Sequence, residues 1–297
     1  MDRKIVYKIE DGMNPAEVYC TTYQMRNFYK QMADGFFSSL DVMNYIQHHF
    51  CVLRMKQGYR VLDVCCGRGL LLPMIRWYRK DIAEYVGVDI SESNLGEQKR
   101  FSGCKKLSDD TTSKEHYKNY YLFKITHLNC SVETMDEHLD AASFNTIVYT
   151  SAIEHMQKDV GFKSLENCYK LLKSNGEMII STPNTIEKKN PYDTQYAAHL
   201  YEWDLEELSQ ALESIGFTIH KIFGLVGKVR DFEAFVNRLD EETRRRYYAL
   251  KEYLPSEWLM SFFPILYPKA AAEVLLVCGK GESKFKRTMP SKIKQLV

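Results

Sequence analysis

Long apolar runs, an excess of one charge and paired cysteines are all scarce in this sequence, and each shortage excludes a class of protein. The opening MDRKIVYKIEDGMNP alternates charged and apolar residues. It offers no uninterrupted hydrophobic stretch of secretory-leader or membrane-spanning length, so the reading expects a cytoplasmic chain without a membrane partner. Lys and Arg number 40 against 39 Asp and Glu, which withholds the positive potential that non-specific nucleic-acid binders rely on. Eight cysteines contain no Cys-x-x-Cys pair and no regular spacing, a pattern that fits reduced thiols and gives no basis for structural zinc. What is present is ample core material: 45% of the 297 residues are hydrophobic, enough for a full α/β domain with a modest accessory part.

β-like runs at Tyr59–Cys65, Tyr85–Asp89, Tyr121–Leu128, Phe144–Thr150 and Glu177–Ser181 alternate with helical stretches such as Leu70–Arg79, Phe162–Leu172 and Leu205–Ile215. Alternation of this kind predicts βαβ units and a mostly parallel sheet. Gly216 is the expected C-cap of the last of these helices. Further strands are predicted at Phe217–Phe223 and Ala272–Cys278, which gives a doubly wound sheet of seven strands. The segment between the last two is too long for a hairpin loop. It reads as a helical insertion over residues 225–271, inside a catalytic domain spanning residues 58–282. Residues 1–57 read as a helical N-terminal lid, with Tyr19, Tyr23, Phe28, Phe36, Phe37 and Leu40 as an apolar face, and residues 283–297 as a basic tail.

The most informative stretch is Val61-Leu62-Asp63-Val64-Cys65-Cys66-Gly67-Arg68-Gly69, a buried-type strand entering a glycine turn that opens a helix. Glycines there let the backbone approach a ligand that a Cβ would exclude, and the helix start offers unpaired N–H groups. About twenty residues on, Val86-Gly87-Val88-Asp89-Ile90 places a carboxylate at a strand end, where it can accept both hydroxyls of a ribose. The combination resembles the class I S-adenosylmethionine (SAM)-dependent methyltransferases, whose first motif carries glycine where this chain has Cys65. The resemblance implies SAM as cofactor, Asp63 near the methionine amino group or orienting the loop, Gly67 and Gly69 beside the methionine part, and Asp89 with Ile90 at the ribose. Asn129 or Cys130, after the third strand, would face the adenine, and Cys65 and Thr150 would border the same site.

Tyr149-Thr150-Ser151-Ala152-Ile153-Glu154-His155 and Ser181-Thr182-Pro183-Asn184 follow the fourth and fifth strands, the edge where open α/β sheets bind ligands. The Glu-His pair resembles that of ubiquinone-biosynthesis and natural-product methyltransferases. His155 is a candidate proton acceptor, with Glu154 orienting it or joining a metal site, and packing or capping is the bland alternative for both. His199 and Trp203 are candidates for the acceptor pocket, whereas Asp204, three residues before Glu207, has the shape of a structural helix cap. A weaker resemblance links the Glu-His, Thr-Pro-Asn and His-x-x-Glu-Trp elements to small-RNA 2′-O-methyltransferases, which hold a metal with two Glu and two His. Ser151 stands at that family's first Glu, and on that ground no metal ligand is assigned here. The expectation is methylation of oxygen or nitrogen on a small-molecule acceptor. The alternatives are an RNA or nucleotide acceptor, suggested by Arg244, Arg245, Arg246 and the basic tail, and a non-catalytic SAM-binding partner protein. The sequence assigns no oligomeric state.

Overall fold

The computed structural model describes residues 39–101, 123–184, 198–227, 232–254 and 256–281. The predicted helices before residue 39 and the basic tail lie outside the described residues. In chain order the elements are α1 (Ser39–Arg54), β1 (Arg60–Val64), α2 (Leu71–Tyr78), β2 (Glu84–Asp89), α3 (Glu92–Phe101), β3 (Lys124–Asn129), the short α4 (Met135–His138), β4 (Phe144–Thr150), α5 (Lys158–Leu171), β5 (Leu172–Pro183), α6 (Leu205–Ile215) and β6 (Thr218–Gly227). Then come α7 (Phe232–Val236), α8 (Glu241–Lys251), α9 (Ser256–Leu266) and β7 (Ala271–Gly279).

The sheet has the order β3-β2-β1-β4-β5-β7-β6. The first five strands pair parallel, and β7 runs antiparallel between β5 and β6. Its central strands are apolar because both faces are covered, and the period of two divides their side chains between two cores. Leu62, Val86, Val88, Ile147, Tyr149, Met178 and Leu276 face one cluster with Leu165 of α5 and Leu212 of α6. Val61, Tyr85, Val148, Ile179, Leu275 and Val277 face the other, with Met43, Cys51 and Val52 of α1 and Leu72 and Ile75 of α2.

Arg54, at the end of α1, is fixed to β5 by two hydrogen bonds to Glu177, at 2.9 and 2.6 Å. Asp204 caps α6 by accepting from the Glu207 N–H at 2.7 Å, and Gly216 ends that helix at φ 111°, both as predicted. The helices α7–α9 form a third, satellite core around Phe232, Phe235, Tyr247, Leu259 and Phe263. α9 lies so close to β6 that a Cβ at Gly224 would stand 2.3 Å from the Pro264 carbonyl oxygen.

Candidate active site

β1 pairs with both β2 and β4. The loops leaving the carboxyl ends of these three strands therefore emerge side by side at the point where the strand order reverses. That point is where open α/β sheets open a crevice for a ligand.

The loop after β1 turns on three residues with positive φ, Cys65 at 54°, Gly67 at 53° and Gly69 at 82°. Cys65 accepts a left-handed conformation that costs an L-residue roughly 1–2 kcal/mol, so the turn survives without the first glycine. Burial pushes its thiol far above the ordinary range, as nearby Asp89 and Asp63 also do, which leaves it a neutral wall and no nucleophile. Asp89 ties the loop down from β2. One carboxylate oxygen accepts the Gly67 N–H at 2.8 Å and the other the Ser91 N–H at 2.8 Å.

Asn129 braces β3 against the same corner, its amide donating to the carbonyls of Asp89 and Ile90 at 3.0 and 2.9 Å. Only its Oδ1 is left to face a ligand. The Ile90 side chain is 76% exposed at this corner, as a shelf for a flat ring would be. Asp63 is buried and accepts the Tyr85 hydroxyl at 2.7 Å. Desolvation raises its pKa to about 7, the Asp89 charge adding to the effect against the pull of that hydrogen bond.

A second group forms beyond β4 and β5. Ser151 takes φ 48°, after which a single 3-10 turn, Ile153–His155, carries Glu154 inward. Glu154 is 2% exposed. One of its oxygens accepts the Thr182 hydroxyl at 3.2 Å, and its backbone carbonyl accepts the Leu200 N–H at 2.8 Å, stitching the two halves of the group together. His155 places Nδ1 2.9 Å from the Ala198 carbonyl oxygen, which makes that nitrogen the donor and leaves Nε2 as the basic atom. His199 places Nδ1 2.6 Å from Glu202, and the two imidazoles meet edge to face at 4.9 Å. A ligand atom from each of Glu154, His155 and His199 lies within 4.8 Å of those from the other two.

Burial raises the pKa of Glu154, and the neighbouring Glu202 charge adds to this. Glu273 on β7, likewise raised by burial, accepts the Ser151 hydroxyl at 2.8 Å. Glu273 was not singled out by sequence, and Glu202 entered only as the glutamate of the His-x-x-Glu-Trp element. Trp203 was expected in the acceptor pocket, but it is 1% exposed and sits in the first core cluster, close enough that a Cβ at Gly161 would come within 3.3 Å of its ring.

Residues 45–222, more than half of the chain, match a family described as Methyltransferase domain. The chain belongs to the class I SAM-dependent methyltransferases. SAM is accordingly the cofactor of this methyltransferase. The enzyme is 31% identical over 147 residues to a ubiquinone biosynthesis O-methyltransferase of Bradyrhizobium diazoefficiens, an alignment covering 49% of this chain and 48% of that protein. The match thus spans about half the length of that curated relative. Among solved structures, a SAM-dependent methyltransferase from Archaeoglobus fulgidus aligns at TM-score 0.50 and 18% identity, over 85% of this chain and 98% of that one. Small RNA methyltransferase HEN1 aligns at TM-score 0.52 and 19% identity, over 85% of this chain and 27% of that one. At these identities the two structures speak for the fold alone. Among the described residues no helix is long and apolar enough to cross a membrane.

Proposed function

We propose that this methyltransferase moves the methyl group of SAM to an oxygen or nitrogen of a small-molecule acceptor, and that Glu154, His155 and His199 form the acceptor side of the site. The observation that carries this reading is the convergence of a buried carboxylate and two imidazoles at the end of β4, the strand hydrogen-bonded beside the one that feeds the glycine loop. In the cofactor half, Asp89 receives the ribose hydroxyls, Gly67 and Gly69 admit the methionine part beside Asp63, and Ile90, Asn129 and Cys130 border the adenine, with Cys65 and Thr150 as walls.

Transfer is an in-line displacement: the acceptor lone pair forms a bond to the methyl carbon as the carbon–sulfur bond breaks, the sulfonium leaving as the neutral thioether, and the acceptor's proton passes to His155 Nε2. Holding the two partners in near-attack geometry supplies much of the acceleration. Once His155 holds that proton, the neighbouring Glu154 carboxylate stabilises the imidazolium that forms, and the pairing favours the charged form of both groups.

The balanced charge favours a small acceptor, and so does the name of the 31% identical relative. For an RNA acceptor the arginine run gives little support, because Arg244 donates to the Asn237 carbonyl and Arg246 to Glu242 within the insertion itself. The test is incubation of the purified chain with methyl-labelled SAM and separate pools of phenols, carboxylic acids, amines and RNA, followed by product mass. Label confined to RNA overturns the small-molecule reading, and tight SAM binding with no product in any pool points to a non-catalytic SAM-binding partner. His155→Ala is expected to keep SAM affinity while lowering turnover roughly 10²–10⁴-fold.

A further inference from the structure

Glu273 stands apart from the Glu154, His155 and His199 group, on the other face of the sheet. Along β7 it shares a side with Leu275 and Val277, which lie in the core under α1, so the period of two turns its side chain toward that helix. On β5 the same face carries Ile179 and Ser181, whereas Thr182, the partner of Glu154, shares the opposite face with Ile180. Buried with Glu273 on the α1 side are Ser181 and Gln47.

These side chains form one hydrogen-bonded chain with a fixed sense. Gln47 Nε2 donates to Asn44 Oδ1 at 2.9 Å, and Gln47 Oε1 accepts the Ser181 hydroxyl at 2.9 Å. Ser181 Oγ accepts the Ser151 N–H at 3.0 Å, and the Ser151 hydroxyl donates to Glu273 at 2.8 Å. Ser181 is also a partner of Glu273. A hydroxyl has one proton and two lone pairs, and the proton of Ser181 is given to Gln47. Toward Glu273 it therefore presents only a lone pair. An ionised carboxylate would set oxygen against oxygen there, whereas a carboxylic acid donates and closes the chain.

The surroundings favour the same state. Burial and then the Glu154 charge push the acid group of Glu273 up to about 8, with Glu202 adding to this. Neighbouring buried carboxyl groups do not both ionise readily, so a proton kept on Glu273 leaves Glu154 free to carry the charge that a protonated His155 calls for. Ser151 is the joint between them. Its φ of 48° lies in the left-handed region, which costs an L-residue roughly 1–2 kcal/mol, and it is held from both ends. The N–H is shared between the Ser181 carbonyl at 3.1 Å and the Ser181 hydroxyl, while Oγ is held by Glu273. The 3-10 turn that carries Glu154 and His155 begins two residues later, so a shift of Ser151 is passed on to both.

We propose that Glu273 is a positioning residue that works as a neutral acid, accepting from the Ser151 hydroxyl and donating to Ser181, and that it thereby sets the aim of Glu154 and His155 at the acceptor. This rests on the reading of those two side chains as the acceptor side. Gln47, at the other end of the chain, makes α1 part of the same support.

The test compares full-chain variants under conditions where each is folded. Infrared difference spectra of wild type against Glu273→Gln at neutral pH are expected to show a protonated carboxyl band in wild type alone. On the acceptor that the labelled-SAM screen yields, Glu273→Ala is expected to lower turnover roughly 10–100-fold, with SAM affinity by calorimetry unchanged. Glu273→Gln repeats the pattern of the acid, one acceptor and one donor, and is expected to recover most of that turnover. Ser151→Gly takes the left-handed φ without strain but lacks the hydroxyl, and it is expected to share the loss, so it decides where Glu273→Ala does not fold. Turnover as low in Glu273→Gln as in Glu273→Ala, a wild-type spectrum without the band, or full turnover in the folded Ser151→Gly protein overturns the proposal. A screen without product in any pool removes the proposed reaction, and Glu273 is then decided by the infrared band and by amide exchange over residues 151–156. That exchange is expected to speed up in Glu273→Ala and not in Glu273→Gln, and equal rates in all three proteins would count against the positioning role.

Discussion

Replacing Asp89 by Asn tests whether one carboxylate performs two tasks. In the folded protein its oxygens accept the Gly67 and Ser91 N–H groups, both at 2.8 Å, at a position 7% exposed. Asn retains one acceptor oxygen but turns an N–H₂ group toward the other backbone donor, so one charge-assisted bond is lost and an N–H is left unmatched. Such a loss costs about 1.5–3 kcal/mol, and unfolding free energy from urea titration should fall by that amount. If the same carboxylate also receives the ribose hydroxyls, SAM binding loses a comparable amount on top. At about 1.4 kcal/mol per decade this is a rise in Kd of roughly 10–100-fold by calorimetry under conditions where the variant is fully folded. Reduced stability with unchanged SAM affinity would confine Asp89 to clamping the loop. Unchanged values for both would refute the clamp itself.

Gly67→Ala separates backbone strain from cofactor approach: its Cβ would meet no protein atom within 4 Å, and φ is +53°. Stability should fall by only about 1–2 kcal/mol, while SAM affinity measured by calorimetry drops at least about tenfold. Gly224→Ala pushes a Cβ to 2.3 Å from the Pro264 oxygen and 2.7 Å from the Ala271 Cβ. It should cost about 1–3 kcal/mol in denaturant titrations and speed amide exchange in α9, and native-like exchange there would contradict the close packing. Asp63 governs a pH effect. Its folded pKa of about 7 stands above the ordinary value of 3.8, so folding takes up a proton, and its contribution is full below that ordinary value and lost as pH rises through the folded one, levelling off above it. Unfolding free energy should decline over that window by up to about 4 kcal/mol, and Asp63→Asn should flatten the slope. An identical slope in the variant would assign it to other groups.

Local pattern carried the sheet well where both faces of a strand are buried. Phe144–Thr150 matches the predicted strand end for end, because its run of β-branched and aromatic residues has no competing helical period. β5 begins at Leu172, earlier than Glu177, and α5 begins at Lys158, earlier than Phe162. Leu172 already pairs with Phe144, and a register shift separates that pair from Thr146 and Glu177, so Lys173-Ser174-Asn175-Gly176 forms an irregular lead-in that local pattern did not mark as strand. That the glycine loop and Asp89 meet was legible, since both lie within short motifs and Asp89 reaches back only 22 positions to Gly67. Glu273 was not, because it meets Ser151 across 122 positions and a glutamate in a strand ordinarily reads as solvent-facing. Trp203 misled for the opposite reason. An aromatic beside a histidine suggests a pocket, but the space beside Gly161 draws the indole into the core.

The reversal of β7 ties the helical insertion to the edge of the sheet where β4 and β5 end. Glu273 stands two residues after Ala271, the first residue of that strand, and Ala271 follows directly on the satellite core that includes Ala270. Any load on α7–α9, from a crowded acceptor or a docked macromolecule, is therefore delivered to the strand's starting end, through a span too short to absorb it. The glycine loop and its Asp89 clamp hang on β1 and β2, on the other side of β4 in the sheet. Exchanging the insertion for another of different length should therefore disturb the Glu273–Ser151 contact before it disturbs the Asp89–Gly67 clamp.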